Sequence, residues 1–160
     1  MRNRTSRPAM PPPLSGARLE AAIAGRLRHY RQVCALDPVR RGSGLFVRTG
    51  EVAAFEFPAD RARAVLDRLP VPAPVIVVHD NPFDAQWVLL TGPLRHPAPD
   101  SSAFAAVRAR LLPAGTEVAL PTPGDDGSVS WRHQRLPDDA YRPSVHDVLD
   151  AISSAVVGAR

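Results

Sequence analysis

The chain has 160 residues, 44% of them hydrophobic and 22% charged, with a formal net charge of +4. That length makes one domain, or one domain plus a tail, and lets the fold bury roughly 70% of the unfolded surface. A single cysteine excludes a disulfide framework and a cysteine-based metal site, and no stretch approaches the about 18 apolar residues of a membrane span. Proline is 18 of 160 residues, about twice the usual share. All 20 basic residues are arginine and none is lysine. High-GC coding accounts for part of that bias.

Residues 1–14 hold only Arg, Asn, Ser, Thr, Pro and a few small or apolar residues, ending in Pro11-Pro12-Pro13. Proline there fixes φ and removes donors, so a disordered basic arm is expected. It lacks the apolar run of a secretory signal. Ser15 can cap a helix over residues 16–36, on which Leu19, Ile23, Leu27, Tyr30 and Cys34 form one apolar stripe. Arg28 and Arg31 fall on its far side, and Asp37-Pro38 ends it. Residues 40–44 read as a loop. Leu45–Arg48 and Glu51–Phe57, with Thr49-Gly50 between them, read as a β-hairpin.

Ala59–Leu69 has helical spacing through Ala62, Val65, Leu66 and Leu69. Pro70, Pro72 and Pro74 make a stiff connector. Val75–His79 and Gln86–Thr91 read as two paired strands around Asp80-Asn81-Pro82. A helix capped by Ser101 or Ser102 is expected to run to Leu112. Glu117–Leu120 and Ser128–His133 read as a last strand pair, and Ser144–Val157 as a last helix. The resulting order α-ββ-α-ββ-α-ββ-α predicts a single-domain α+β fold, with a mostly antiparallel sheet covered by helices. Residues 15–160 would form it. No GxGxxG or phosphate loop follows any strand, which excludes a Rossmann or P-loop assignment.

The charge is uneven. Residues 1–50 hold ten arginines against Glu20 and Asp37, a surplus of +8, whereas residues 51–160 hold ten against fourteen acids, −4. A basic front on an acidic body fits nucleic acid or an acidic protein partner. Arg2, Arg4, Arg7, Arg28, Arg31, Arg40 and Arg41 are the candidate nucleic-acid contacts, because guanidinium forks match phosphate oxygens. No base-reading motif accompanies them, so such binding is expected to be sequence-independent and salt-sensitive.

From residue 50 onward a further pattern emerges. Phe55-Glu56-Phe57-Pro58-Ala59 precedes a helix. Pro74–Val78 and Gln86-Trp87-Val88-Leu89-Leu90-Thr91-Gly92-Pro93 follow, then Val118–Pro123 with Gly127–Trp131 behind it. In segment order and hydrophobic strings this resembles small actinobacterial relatives of the bifunctional DNA primase/polymerase (prim-pol) N-terminal domain, over about two thirds of the chain. The resemblance implies an acidic pair for divalent metal on the first core strand, a phosphate-contacting histidine on a following strand, and a later acidic ligand. Here the first strand offers only Glu56, the comparable later string has Trp87 and no histidine, and the last ligand has no counterpart. Two-metal phosphoryl transfer needs several converging carboxylates. The resemblance therefore implies the fold without the polymerase chemistry.

The remaining constellations read as structure. His79, Asp80 and Asp84 could ligate a metal, but Asp80-Asn81-Pro82 is first a turn, and so is Asp125-Asp126-Gly127. His29, His96, His133 and His146 have no zinc-binding spacing, and Ser43 lacks a nucleophile elbow. Cys34 on the apolar stripe reads as core, as do Trp87 and Trp131 on strands. The sequence thus predicts a cytoplasmic, non-catalytic prim-pol-like binding or regulatory module, with no cofactor, metal or catalytic residue and no membrane. A protein-interaction adaptor and a divergent metal-dependent nucleotidyl enzyme using Glu56 are the alternatives.

Overall fold

The computed structural model describes residues 14–81, 84–95 and 102–158, with backbone alone at 80, 81, 84 and 103. The expected disordered arm lies outside the described residues, save Leu14.

Helix α1 spans Gly16–Gln32. Its stripe points inward as the spacing predicts: Ile23, Tyr30 and Cys34 are buried, with Leu19 and Leu27 packed against them. The helix stops four residues short of the expected end. Ala35 adopts φ +47, and the Leu36 amide donates to the Tyr30 carbonyl at 2.9 Å. Strands β1 (Val39–Arg41) and β2 (Gly44–Arg48) follow as a hairpin. This corrects the loop expected at 40–44. Gly42, at φ +59, supplies the left-handed residue that a two-residue hairpin turn requires.

The expected hairpin of Leu45–Arg48 with Glu51–Phe57 does not form. Strand β3 (Ala53–Pro58) leaves for a second sheet, and only an isolated bridge, Thr49 to Val52, links the two segments. Burial gives the reason. Along β2, Leu45 and Val47 are buried and their neighbours are not, the pattern of a sheet with one covered face. On β3, Ala53, Ala54, Phe55 and Phe57 are all buried, so the strand needs cover on both faces and a neighbour on each side. The later strands sort in the same way. Helix α2 spans Ala59–Leu66, and β4 (Val75–Asn81) pairs with β5 (Asp84–Thr91) as predicted.

The helix expected to reach Leu112 is only α3, Ser102–Ala106. Arg108 turns left-handed at φ +51, and the Ala109 amide donates to the Phe104 carbonyl at 2.8 Å, ending the helix as a Schellman turn does. That frees β6 (Arg110–Leu111) to pair with β3. Strands β7 (Glu117–Leu120) and β8 (Val129–Trp131) are not partners: β7 pairs with β2 and β8 with β4. The strand expected to reach His133 gives way to a 3-10 turn at Arg132–Gln134. Helix α4 spans Val145–Val157.

The fold is α+β with two antiparallel sheets, ordered β6-β3-β5-β4-β8 and β1-β2-β7. One face of the larger sheet presents Phe55, Phe57, Val77, Trp87 and Leu89 to α2, α3 and α4. Its other face presents Ala54, Ile76, Val88, Leu90 and Trp131 to α1 and the smaller sheet. Among the described residues, no helix is long and apolar enough to cross a membrane.

Three elements meet at one buried hydroxyl. Tyr30 Oη accepts from Trp131 Nε1 at 3.1 Å and donates to the Pro121 carbonyl at 2.6 Å. Burial pushes the Tyr30 phenol above its ordinary pKa. Tyr30→Phe leaves the indole N–H without its acceptor, while the Pro121 carbonyl keeps Arg26 Nη1 at 3.0 Å. The expected loss is about 1–3 kcal/mol of unfolding free energy in urea melts. Because the folded pKa is raised, this contribution is complete below the ordinary tyrosine pKa of about 10 and is lost as pH rises through the folded value.

At α4, Ser144 and Asp147 form a reciprocal capping box, with Ser144 Oγ accepting from the Asp147 amide at 3.0 Å and the Asp147 carboxylate accepting from the Ser144 amide at 3.1 Å. Ser144→Ala is expected to cost about 1 kcal/mol in the same melts.

Candidate functional site

The seven arginines singled out by charge do not share one environment. Arg2, Arg4 and Arg7 lie outside the described residues. Arg28 projects from the outer face of α1, exposed, and no ion pair or hydrogen bond engages it among the described residues. Arg31 lies 3.4 Å from Asp37, both side chains largely exposed. Arg40, on β1, holds Glu20 of α1 through two bonds of 2.8 Å. Arg41 grips Glu117 of β7 with Nε and Nη2, the shortest bond being 2.6 Å, and Arg48 adds a third guanidinium nitrogen at 3.1 Å. Arg40 therefore holds the Glu20 carboxyl below the ordinary range, and Arg41 with Arg48 does the same to Glu117.

The layer of α1, β1, β2 and β7 retains a cationic surplus. Arg18, Arg26, Arg28, Arg31, Arg40, Arg41 and Arg48 face Glu20, Asp37 and Glu117, seven charges against three. Arg18, like Arg28, is exposed and without an acidic partner among the described residues. Arg26 is committed to the Pro121 carbonyl.

The acidic candidates take structural roles where they are described. Glu56 is engaged by Arg110, whose Nε lies 2.7 Å from Oε2 and whose Nη2 makes a second bond to the same oxygen. Asp125 Oδ1 accepts from the Gly127 amide at 2.9 Å and the Ser128 amide at 3.0 Å, building the expected turn. The side chains of Asp80 and Asp84 lie outside the described residues. Among the described residues, no three histidine, cysteine or acidic side chains gather as metal ligands would. Cys34 is buried, and burial pushes its thiol above the ordinary value, the opposite of an activated nucleophile. Trp87 and Trp131 are core residues, 8% and 6% exposed. His29 Nε2 meets the Pro137 carbonyl at 2.7 Å, and Ser43 sits in the β1–β2 turn.

Two surface features were not visible in the sequence. A cleft of about 510 Å³ lies beside the end of α1, where Arg142 donates to the carbonyls of Cys34 at 2.7 Å and Ala35 at 3.4 Å. A cation there complements the helix C-terminus. The Arg142 Nε is buried with no hydrogen-bond partner among the described residues. Beside the turn after β8, two adjoining clefts of about 280 and 290 Å³ share Pro72, Ala73, Arg132 and His133. Ser130-Trp131-Arg132 was the available signal: strand alternation puts Arg132 on the face opposite the buried Trp131.

No family model, curated protein or solved structure matches this chain.

The ion cluster is open to a direct check. The Glu117 carboxyl, followed by NMR titration, is expected to protonate below the ordinary glutamate value of about 4.3. Arg41→Ala should move the midpoint upward, and Arg48→Ala should move it less. The cluster is thus complete above the ordinary glutamate range and released as pH falls through the lowered value.

Proposed function

We propose that this chain is a non-catalytic, prim-pol-like module that holds nucleic acid without sequence preference through the α1 layer. The observation that carries the reading is the surplus of guanidinium groups there, with Arg18 and Arg28 exposed and without acidic partners among the described residues. Arg31, Arg40 and Arg41 add to the same surface. Their ion pairs are exposed, and exposed pairs contribute only about 0–1 kcal/mol, so exchanging a carboxylate for a phosphate costs little. Arg2, Arg4 and Arg7 precede the same helix in the chain.

Support for the non-catalytic part comes from Glu56. It is the one carboxylate that the prim-pol resemblance would place at the metal position, and Arg110 occupies it. A guanidinium at that range opposes the approach of a divalent cation. Three strings that carry the resemblance lie on β3, β4 and β5, adjacent in the larger sheet, whereas Val118–Leu120 belongs to the smaller one.

An adaptor for another protein is the second reading. Strand β1 favours it, since it is an exposed edge with Val39 42% accessible, open to pairing with an added strand.

Fluorescence anisotropy with a labelled single-stranded oligonucleotide, measured across a salt series, separates the two. Binding at low salt is expected to weaken steeply as salt rises. The Arg28/Arg31/Arg40/Arg41→Ala variant should lower the salt slope by roughly 3. No binding by wild type at low salt would remove the nucleic-acid reading and leave the adaptor.

A further inference from the structure

The smaller sheet turns an aromatic ring away from both cores. Along β2, Leu45 and Val47 point inward to the α1 side, so Gly44, Phe46 and Arg48 point outward. Strand register adds their neighbours on that outer face. Arg41 lies opposite Gly44, Val39 and Ala119 flank Phe46, and Glu117 lies opposite Arg48. Phe46, Val39 and Ala119 join neither apolar core among the described residues. Phe55, Phe57 and Phe104, by contrast, are all buried in the core of the larger sheet.

The Phe46 ring leans along the strand over Gly44. A methyl group at that glycine would stand 2.8 Å from Phe46 Cε2 and 3.1 Å from Cζ, so glycine leaves the room that the ring fills. Arg41 and Glu117 occupy opposite corners of the face, and their ion pair spans it, with Arg48 joining the same carboxylate. The two arginine side chains are 57% and 60% exposed. Two guanidiniums answer one carboxylate, which leaves the face a positive surplus. Arg41 Nη1 and the Nε and Nη1 of Arg48 make no hydrogen bond among the described residues. Alternation along β1 carries the surplus over the sheet edge, since Arg40 bonds Glu20 on the α1 side and Arg41 bonds Glu117 on the outer side.

We propose that Phe46 is a stacking platform for an unpaired base of single-stranded nucleic acid, with Arg41 and Arg48 meeting the adjacent phosphates. A ring outside the core offers a π-face that any base can use, and guanidinium forks fit phosphate oxygens. Glu117 competes with phosphate for both arginines, and exposed ion pairs of this kind exchange partners at little cost. Bases within a duplex are already stacked and paired, so the platform selects the single strand. Three strands with three outward positions cover roughly 200 Å². That is far below the about 800 Å² per partner of a stable protein interface, which disfavours a second copy as the occupant. The inference rests on the nucleic-acid reading of the α1 layer and adds to it the form of the strand and the residue that touches a base.

Anisotropy of the full chain with a labelled single-stranded oligonucleotide, and with the duplex of the same sequence, tests this. Wild type is expected to bind the single strand more tightly. Phe46→Ala should weaken that binding by roughly five- to a hundredfold. It should leave the salt slope unchanged, because stacking releases no counterions. Phe46→Trp should retain binding, whereas Phe46→Leu, apolar but without a ring, should lose it. Glu117→Gln should tighten it, and Arg28→Ala should lower the salt slope while keeping the preference for the single strand. Unaltered melting of each variant shows that the effect is local. Equal affinity of wild type for single strand and duplex, or wild-type affinity in Phe46→Ala, overturns the platform and leaves the nucleic-acid reading standing. No binding of either by wild type removes both. A concentration-dependent dimer that Phe46→Ala dissociates would assign the face to a second copy and overturn the platform as well.

Discussion

The Tyr30 hydroxyl is the point through which the layers are held in register. A phenol and an indole buried together must each find a hydrogen-bond partner, and leaving either group unpaired is costly. Here α1 supplies the phenol, β8 the indole and the end of β7 the carbonyl. The Tyr30 and Trp131 rings also meet edge to face, with centroids 6.2 Å apart. Apolar packing alone would let α1 rotate or slide over the smaller sheet at small cost. The hydroxyl relay admits one rotation, with Ile23 two turns before Tyr30 pointing inward and Arg18, Arg28 and Arg31 outward.

That rotation determines the electrostatics. With α1 in place, Glu20 reaches Arg40 across to β1, and Arg142 reaches the carbonyls at the helix end from the loop before α4. Part of the front-half positive charge is thereby answered within the fold, by Glu20, Asp37 and Glu117. What remains is a cationic outer face rather than a uniformly basic one. On the larger sheet Arg110 answers Glu56, while Arg63 and Arg132 lie over Trp87 with no ion pair among the described residues. The fold separates its cations into those with an acidic partner, such as Arg40 and Arg41, and those without one among the described residues, such as Arg18 and Arg28.

Local signals in the sequence carried much of the architecture. The α1 stripe, the β4–β5 pair around Asp80-Asn81, and the last helix, expected over Ser144–Val157, all depend on residues close together in the chain. Strand partnership did not follow from them. Leu45-Phe46-Val47 and Ala53–Phe57 have hairpin spacing, yet their burial patterns send them to different sheets. The end of α3 carried no signal, because Arg108, not glycine, takes the left-handed position. The candidate arginines were legible by type but not by environment. Glu117 lies 76 residues from Arg41, so their pairing is a product of topology. The Arg63–Trp87–Arg132 arrangement likewise joins α2, β5 and the turn after β8, which no local pattern connects.

Helix α1 is an integral layer, fixed through Tyr30, and not a basic helix loosely attached to the larger sheet. Native-state hydrogen exchange measures this directly. Amides from Ile23 to Tyr30 are expected to exchange with opening free energies within roughly 1 kcal/mol of those on β4 and β5. Exchange in α1 several kcal/mol easier than in that strand pair would contradict it, because the helix would then open while the sheet stayed intact.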